Sequence, residues 1–291
     1  MDLRGVSTTL DTVVFVLLVG VAVVVFAGAD PVDTTGPRRV SDETADVLAT
    51  STTTVTFERS GTVQGTLLRG GQPQTVRVTR RAHGTYAELL AAAATANPEL
   101  GGVPLTGTGG SLRESVVNAT GRALPAGRAN VQVRATWRAY PEAPLERTVI
   151  VGERPPPDAD VAVATVTVPS GFPGVNESLG PDPTYEAVAR SVARAVITGL
   201  FDPDRTGDAV ASEGADRAVV ADRYRRASAV LGVHTDDALA DGDVGEANRR
   251  LMNSLTPELR LHMEGQYGSP SAAARAVSVD RVRVVVRAWS S

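Results

Sequence analysis

No cysteine occurs in the 291 residues. That removes disulfides, the usual brace of small exported domains, and takes thiolates out of any zinc site. A chain of this length can bury enough surface to hold itself together without them. Lysine is absent too, so all 29 basic residues are arginine, a bias that fits a GC-rich genome. Thirty-three acidic residues outweigh them and leave a net charge of −4. No nucleic-acid partner is expected, because that needs a basic excess gathered into a patch. Aromatic residues make up only 4%, so the core has to be built from valine, alanine and leucine. The histidines are just three, His83, His234 and His262. None sits in a His-x3-His pair or an HExxH run, so no zinc site is expected. No G-x-S-x-G elbow is present, and no internal repeat or low-complexity tract.

What the sequence does have is one long apolar run near its start. Residues Thr12 to Ala29 read TVVFVLLVGVAVVVFAGA without a charge. At about 1.5 Å per residue such a helix is roughly 27 Å long, close to a bilayer core. A buried soluble helix is rarely apolar on every face. The bilayer is therefore the expected partner of residues 12–29. Three fates fit: a retained single-span anchor, a cleaved signal peptide ending at the small-x-small triplet Ala27-Gly28-Ala29, and a prepilin-type leader. Arg4 precedes the run, and Asp30 and Asp33 follow it. The expectation is a cell-membrane protein with a cytoplasmic N-terminus and an extracytoplasmic bulk. Two N-glycosylation sequons begin at Asn118 and Asn176 and are compatible with that placement.

Arg4-Gly5-Val6-Ser7, set just before the apolar run, resembles the class III leaders of archaeal type IV pilins and archaellins. The resemblance implies cleavage between Gly5 and Val6, with the apolar segment kept as the mature N-terminal helix. An acidic residue is expected at the fifth mature position of such chains, whereas here Asp11 is sixth. The lysine-free, cysteine-free composition also looks haloarchaeal. A wider set of segments carries the same resemblance: His83-Gly84-Thr85-Tyr86-Ala87-Glu88, Trp137-Arg138-Ala139-Tyr140-Pro141, Pro155-Pro156-Pro157-Asp158, Pro169-Ser170-Gly171-Phe172-Pro173 and Arg223-Tyr224-Arg225-Arg226. They resemble an uncharacterised haloarchaeal exported family encoded beside type IV pilus or secretion-system components. The resemblance implies pilus or secretion-system proteins, or copies of the chain itself, as partners.

Beyond the leader and apolar helix (1–29), residues 30–50 read as a stalk with a short helix near Asp42 to Leu48. Residues 51–170 read as a sheet-rich part. Thr52–Glu58, Thr62–Leu68 and Gln74–Thr79 are short β-branched runs separated by glycine-containing breaks, as in a meander. Thr85-x-x-Glu88 and Ser111-x-x-Glu114 are capping boxes that open helices, the second stopped by Gly121. Val131, Val133, Ala135 and Trp137 alternate with polar residues, predicting a half-buried strand with an arginine-rich outer face. Residues 171–291 read as mainly helical. Tyr185, Val188, Ala189, Val192, Val196 and Leu200 repeat at helical spacing. Helices are also predicted near 213–231 and 243–255, with a restart at Thr256-Pro257. The chain closes on a strand near 279–288 that needs partners. The predicted fold class is α+β: an N-terminal transmembrane helix, then an antiparallel-rich sheet, a helical second half and a C-terminal strand returning to the sheet.

Asp202, Asp204, Thr206, Gly207, Asp208 and Glu213 occupy positions 1, 3, 5, 6, 7 and 12 of an EF-hand-like calcium loop. Such a loop would make calcium a cofactor; the competing expectation is a solvated capping loop between helices. Thr108-Gly109-Gly110-Ser111 precedes a helix and offers backbone N–H groups to an anion, but reads first as a flexible turn. The arginine faces at Arg134/Arg138 and Arg281/Arg283/Arg287 suit acidic partners or, equally, a solvated edge. The leading expectation is a membrane-anchored, pilin-like structural or interaction protein, not an enzyme. A secreted or anchored binding module, calcium-dependent through residues 202–213, is the alternative, and an exported enzyme of unrecognised type the third.

Overall fold

A computed structural model of the chain describes residues 36–63, 74–125, 129–175, 179–211 and 214–290. The apolar run, Gly5 and Val6, Asn176 and Glu213 lie outside the described residues.

Period-two alternation decides the sheet. In the last strand, Val282, Val284, Val286 and Ala288 are buried while Arg281 and Arg283 are exposed. That strand, β8 (Arg281–Ser290), is not at an edge. It lies between β5 (Ala129–Arg138) and β7 (Ala162–Pro169), antiparallel to both. The remaining members are β6 (Leu145–Val151), β3 (Glu99–Leu100) and β4 (Val103–Pro104), giving the order β4-β3-β6-β5-β8-β7. The α+β class with antiparallel sheets, and the C-terminal strand's return to the sheet, are as expected from sequence. The outer face keeps its polarity: Arg138 pairs with Glu146 at 2.5 Å, and Thr136 and Thr148 share a hydrogen bond at 3.2 Å.

The inner face is covered by helices that the chain supplies early. The stretch read as a stalk forms helix α1 (Pro37–Thr50), which packs on β7 and β8 through buried Thr44, Ala45, Leu48 and Ala49. It is longer than the short helix expected, because Pro37 sits at its first turn, where proline is tolerated. Helix α2 (Tyr86–Thr95) opens on the expected capping box. Thr85 Oγ1 accepts from Glu88 N, and Glu88 Oε2 accepts from Thr85 N at 2.8 Å. Its small residues Ala87, Ala91 and Ala94 are buried and bring it close to the sheet.

Among the described residues the expected three-strand meander is a two-strand ribbon, and residues 64–68 of its middle strand lie outside the described residues. β1 (Thr52–Val63) pairs with β2 (Gln74–Thr85) in continuous antiparallel register from Thr52↔Thr85 to Val63↔Gln74. Gly61, expected at a break between strands, lies within β1. A side chain there would place its Cβ 2.6 Å from Val219 Cα, so glycine permits the ribbon to touch a helix backbone. The second expected capping box does not form. Helix α3 (Gly110–Ala123) has Gly109 as its N-cap, two residues before Ser111, and Ser111 Oγ accepts from Glu58 N of the ribbon at 3.0 Å. Gly121 does not stop α3, which ends two residues later.

The second half is helical: α4 (Tyr185–Leu200), α5 (Pro203–Ala211), α6 (Ala215–Leu231), α7 (Asp236–Ala240), α8 (Val244–Gln266) and α9 (Pro270–Ala276). Thr184 caps α4, its Oγ1 accepting from Ala187 N at 3.1 Å. Pro257 does not restart a helix but lies inside α8. Proline removes one backbone donor, yet Leu251, Leu255, Leu259 and Met263 form one buried face across it and hold both halves against α4. This half meets the ribbon through α6 and the end of the sheet through aromatic contacts. Phe172 meets Trp137 edge-on at 5.0 Å, and Trp137 Nε1 donates to Val279 O at 2.9 Å.

Candidate functional site

Where ribbon, helices and sheet end meet, they leave a cleft of about 880 Å³. Strand alternation determines what the ribbon shows it. On β1, Val55, Phe57 and Gly61 face inward, and Arg59 shares their parity. Across the ladder Phe57 stands opposite Arg80, and Arg59 opposite Val78. Two arginines therefore sit diagonally on the side of the ribbon that otherwise carries apolar residues. Another part of the lining is one face of α6, where Asp216, Val219, Val220 and Arg223 recur at helical spacing. Asp216 pairs with Arg80 at 2.5 Å.

Arg223 and Arg59 have no carboxylate partner among the described residues. The Arg223 guanidinium lies over the Phe201 ring at 5.2 Å, and its Nη2 donates to Leu200 O at 2.8 Å. Its Nε is buried and has no hydrogen-bond partner among the described residues. Burial, and then the Arg59 charge nearby, push the Arg223 pKa down to about 10. Arg59 lies 5.7 Å from the Phe57 ring centroid, and burial followed by Arg80 lowers its pKa. Both effects have one cause: positive charge gathered in a place partly closed to water, without enough negative charge beside it.

The carboxylates that line the cleft are mostly committed elsewhere. Glu88 completes the α2 capping box. Asp202 caps α5, its Oδ1 accepting from Arg205 N at 3.0 Å. Asp208 is exposed. Thr108 and Gly109 also line the cleft, and Gly109 is the N-cap of α3, at φ 107°, with no side-chain cap. The turn that sequence singled out as an anion cradle thus borders the same space as the arginines. Phe57, Leu112, Phe172, Leu200 and Val219 supply an apolar lining.

The calcium-loop candidates Asp202, Asp204, Thr206 and Asp208 fall at the start of α5 and within it, while Glu213 lies outside the described residues. Pro203–Ala211 is helical, which sets Asp204 and Asp208 four residues apart on one face and the buried Thr206 on another. Helix wins because Asp202 is a good cap and Pro203 suits a first turn. Among the described residues no group of three or more His, Asp or Glu is placed to hold a metal ion. His83 Nδ1 contacts Thr54 Oγ1 at 2.9 Å on the exposed side of the ribbon, and His262 lies 3.3 Å from Tyr140 OH. Asn118 is exposed on α3, while Thr120, the third residue of its sequon, is fully buried. Sequons are used in surface loops, so this helical one is poorly presented.

The site residues that sequence reading passed over are Arg59, Arg80 and Arg223. Val55-x-Phe57-x-Arg59-x-Gly61 carries the signal, a charge in phase with apolar residues, visible once β1 is taken as one strand. A family model described as a family of unknown function matches residues 10–289. No curated protein and no solved structure matches the chain.

Proposed function

The chain belongs to DUF7284, a family of unknown function, and from that premise we propose that it is a single-pass, membrane-anchored interaction protein whose bulk lies outside the cell. The observation that carries this reading is the uncharged run at residues 12–29, ahead of a folded unit with its own core. No helix among the described residues is long and apolar enough to cross a membrane. In this reading the anchor is residues 12–29. Transferring so many apolar side chains out of water favours the bilayer strongly, at about 0.8 kcal/mol per buried methylene.

In the finer form of this reading the chain is a pilin-like component of a haloarchaeal type IV pilus or secretion system. Arg4-Gly5-Val6-Ser7 supports it: cleavage after Gly5 would leave the apolar helix free to pack with like helices. The folded unit would present contact surfaces, among them the arginine faces of β5 and β8. The cleft supports the second reading, a secreted or anchored binding module. In both readings the activity is binding and not catalysis.

Mass spectrometry of the mature N-terminus in membrane fractions tests the placement. A start at Val6 supports the pilin-type route, and an uncut chain supports a plain anchor. A start at Asp30 means a released module. Full-length, unprocessed chain dissolved in the cytosol would overturn the placement altogether.

A further inference from the structure

We propose that the cleft between the ribbon and α6 binds a small organic anion, with a phosphate or carboxylate headgroup between Arg59 and Arg223 and an apolar body against Phe57, Phe172 and Leu112. The argument begins with geometry. A cavity of about 880 Å³ is within the range that holds a small ligand. Two guanidinium groups with no carboxylate partner among the described residues line it, one from β1 and one from α6. Buried donors are nearly always satisfied, yet Arg223 Nε finds no partner among the described residues. Guanidinium forks match planar oxyanions in two-point contacts.

The α3 N-terminus adds an independent attraction. Helix N-termini favour anions through their free N–H groups and dipole. Gly109 at that end lines the cleft and provides no side chain to cap it. The depressed pKa values of Arg59 and Arg223 agree with an uncompensated positive field. An arriving oxyanion would relieve the repulsion between them. The apolar lining then decides for an organic anion over a bare inorganic one, because burying that surface requires a non-polar partner. This inference goes beyond the anchored-interaction reading and does not depend on the fate of the N-terminus.

Calorimetric titration of the full chain in nonionic detergent tests it, using phenyl phosphate as probe, inorganic phosphate as the bare headgroup and benzyl alcohol as the neutral body. Phenyl phosphate is expected to bind at one site, at least about tenfold more tightly than either fragment. Arg59→Gln and Arg223→Gln are each expected to weaken it about tenfold or more, with Arg59→Lys recovering part of the loss. Arg223 also holds the end of α4, so its variant is at risk of misfolding. Among the described residues Arg59 makes a ring contact with Phe57 and no hydrogen bond or ion pair, so its variant carries the test if Arg223→Gln does not fold. Absence of phenyl phosphate binding overturns the proposal. So does equal binding in a folded Arg59→Gln, or benzyl alcohol binding as tightly as phenyl phosphate. Inorganic phosphate binding as tightly as phenyl phosphate would overturn the assigned apolar body. Each outcome is separate from the N-terminal mass, which tests placement only.

Discussion

At the scale of single residues, Arg223-Tyr224-Arg225-Arg226 shows how neighbours on one helix take unrelated roles. Arg225 and Arg226 both pair with the buried Asp222, at 2.8 and 3.0 Å. Arg223 turns instead to the cleft. Tyr224, fully buried, donates from its OH to Asn248 Oδ1 at 2.6 Å, and Asn248 Nδ2 donates to Phe201 O at 2.8 Å. This relay ties α6, α8 and the end of α4. Tyr224→Phe leaves Asn248 Oδ1 buried without that donor and is expected to cost about 1–3 kcal/mol, read as a lower urea midpoint at unchanged slope. Burial also raises the Tyr224 pKa, so the donor stays protonated well into alkaline pH. Sequence marked this segment as distinctive but not which arginine faced where. A 3.6-residue period assigns faces only when the neighbouring elements are known.

At the scale of elements, local signals were read well where the chemistry is local. The Thr85 capping box and the apolar face of α4 needed no partner to be recognised. Failures came where a distant backbone intervened. Gly61 looked like a strand break, Ser111 like a cap, and Pro257 like a helix start. In each case a contact made elsewhere in the chain decided otherwise: α6 against Gly61, Glu58 N on Ser111, and α4 beside the Leu251–Met263 face. The Gly61 contact makes a sharp expectation. Alanine ordinarily improves a strand position by about 0.5–1 kcal/mol over glycine. Here its methyl would meet the Val219 backbone, which cannot swing aside, so overpacking of about 1–3 kcal/mol outweighs the gain. Gly61→Ala is therefore expected to destabilise, seen as a lower melting temperature and faster amide exchange in β1.

At the scale of the whole molecule, β8 joins the end of the chain to its middle. It buries Val282, Val284, Val286 and Ala288 and supplies ladder bonds on both sides. Each such side chain contributes about 1.5–3 kcal/mol by burial, a sum comparable with the whole stability of a domain. Truncation after Asp280 is expected to abolish cooperative thermal unfolding followed by circular dichroism. A truncated chain melting as sharply as the full one would show the sheet closing without β8. Placement makes its own whole-molecule expectation. In detergent phase separation the full chain should enter the detergent-rich phase, and a chain starting at Gly36 the aqueous phase. Recovery of the full chain in water would contradict an anchor. By itself the sequence determined composition, the apolar run, most helix positions and the strand character of the C-terminus, because hydropathy and period are properties of neighbouring residues. Only the tertiary structure decided that β8 is central, that residues 203–211 coil into a helix, and that Arg59 and Arg223 line one cleft. Those outcomes depend on which surfaces meet across long stretches of chain, and no local spacing encodes that.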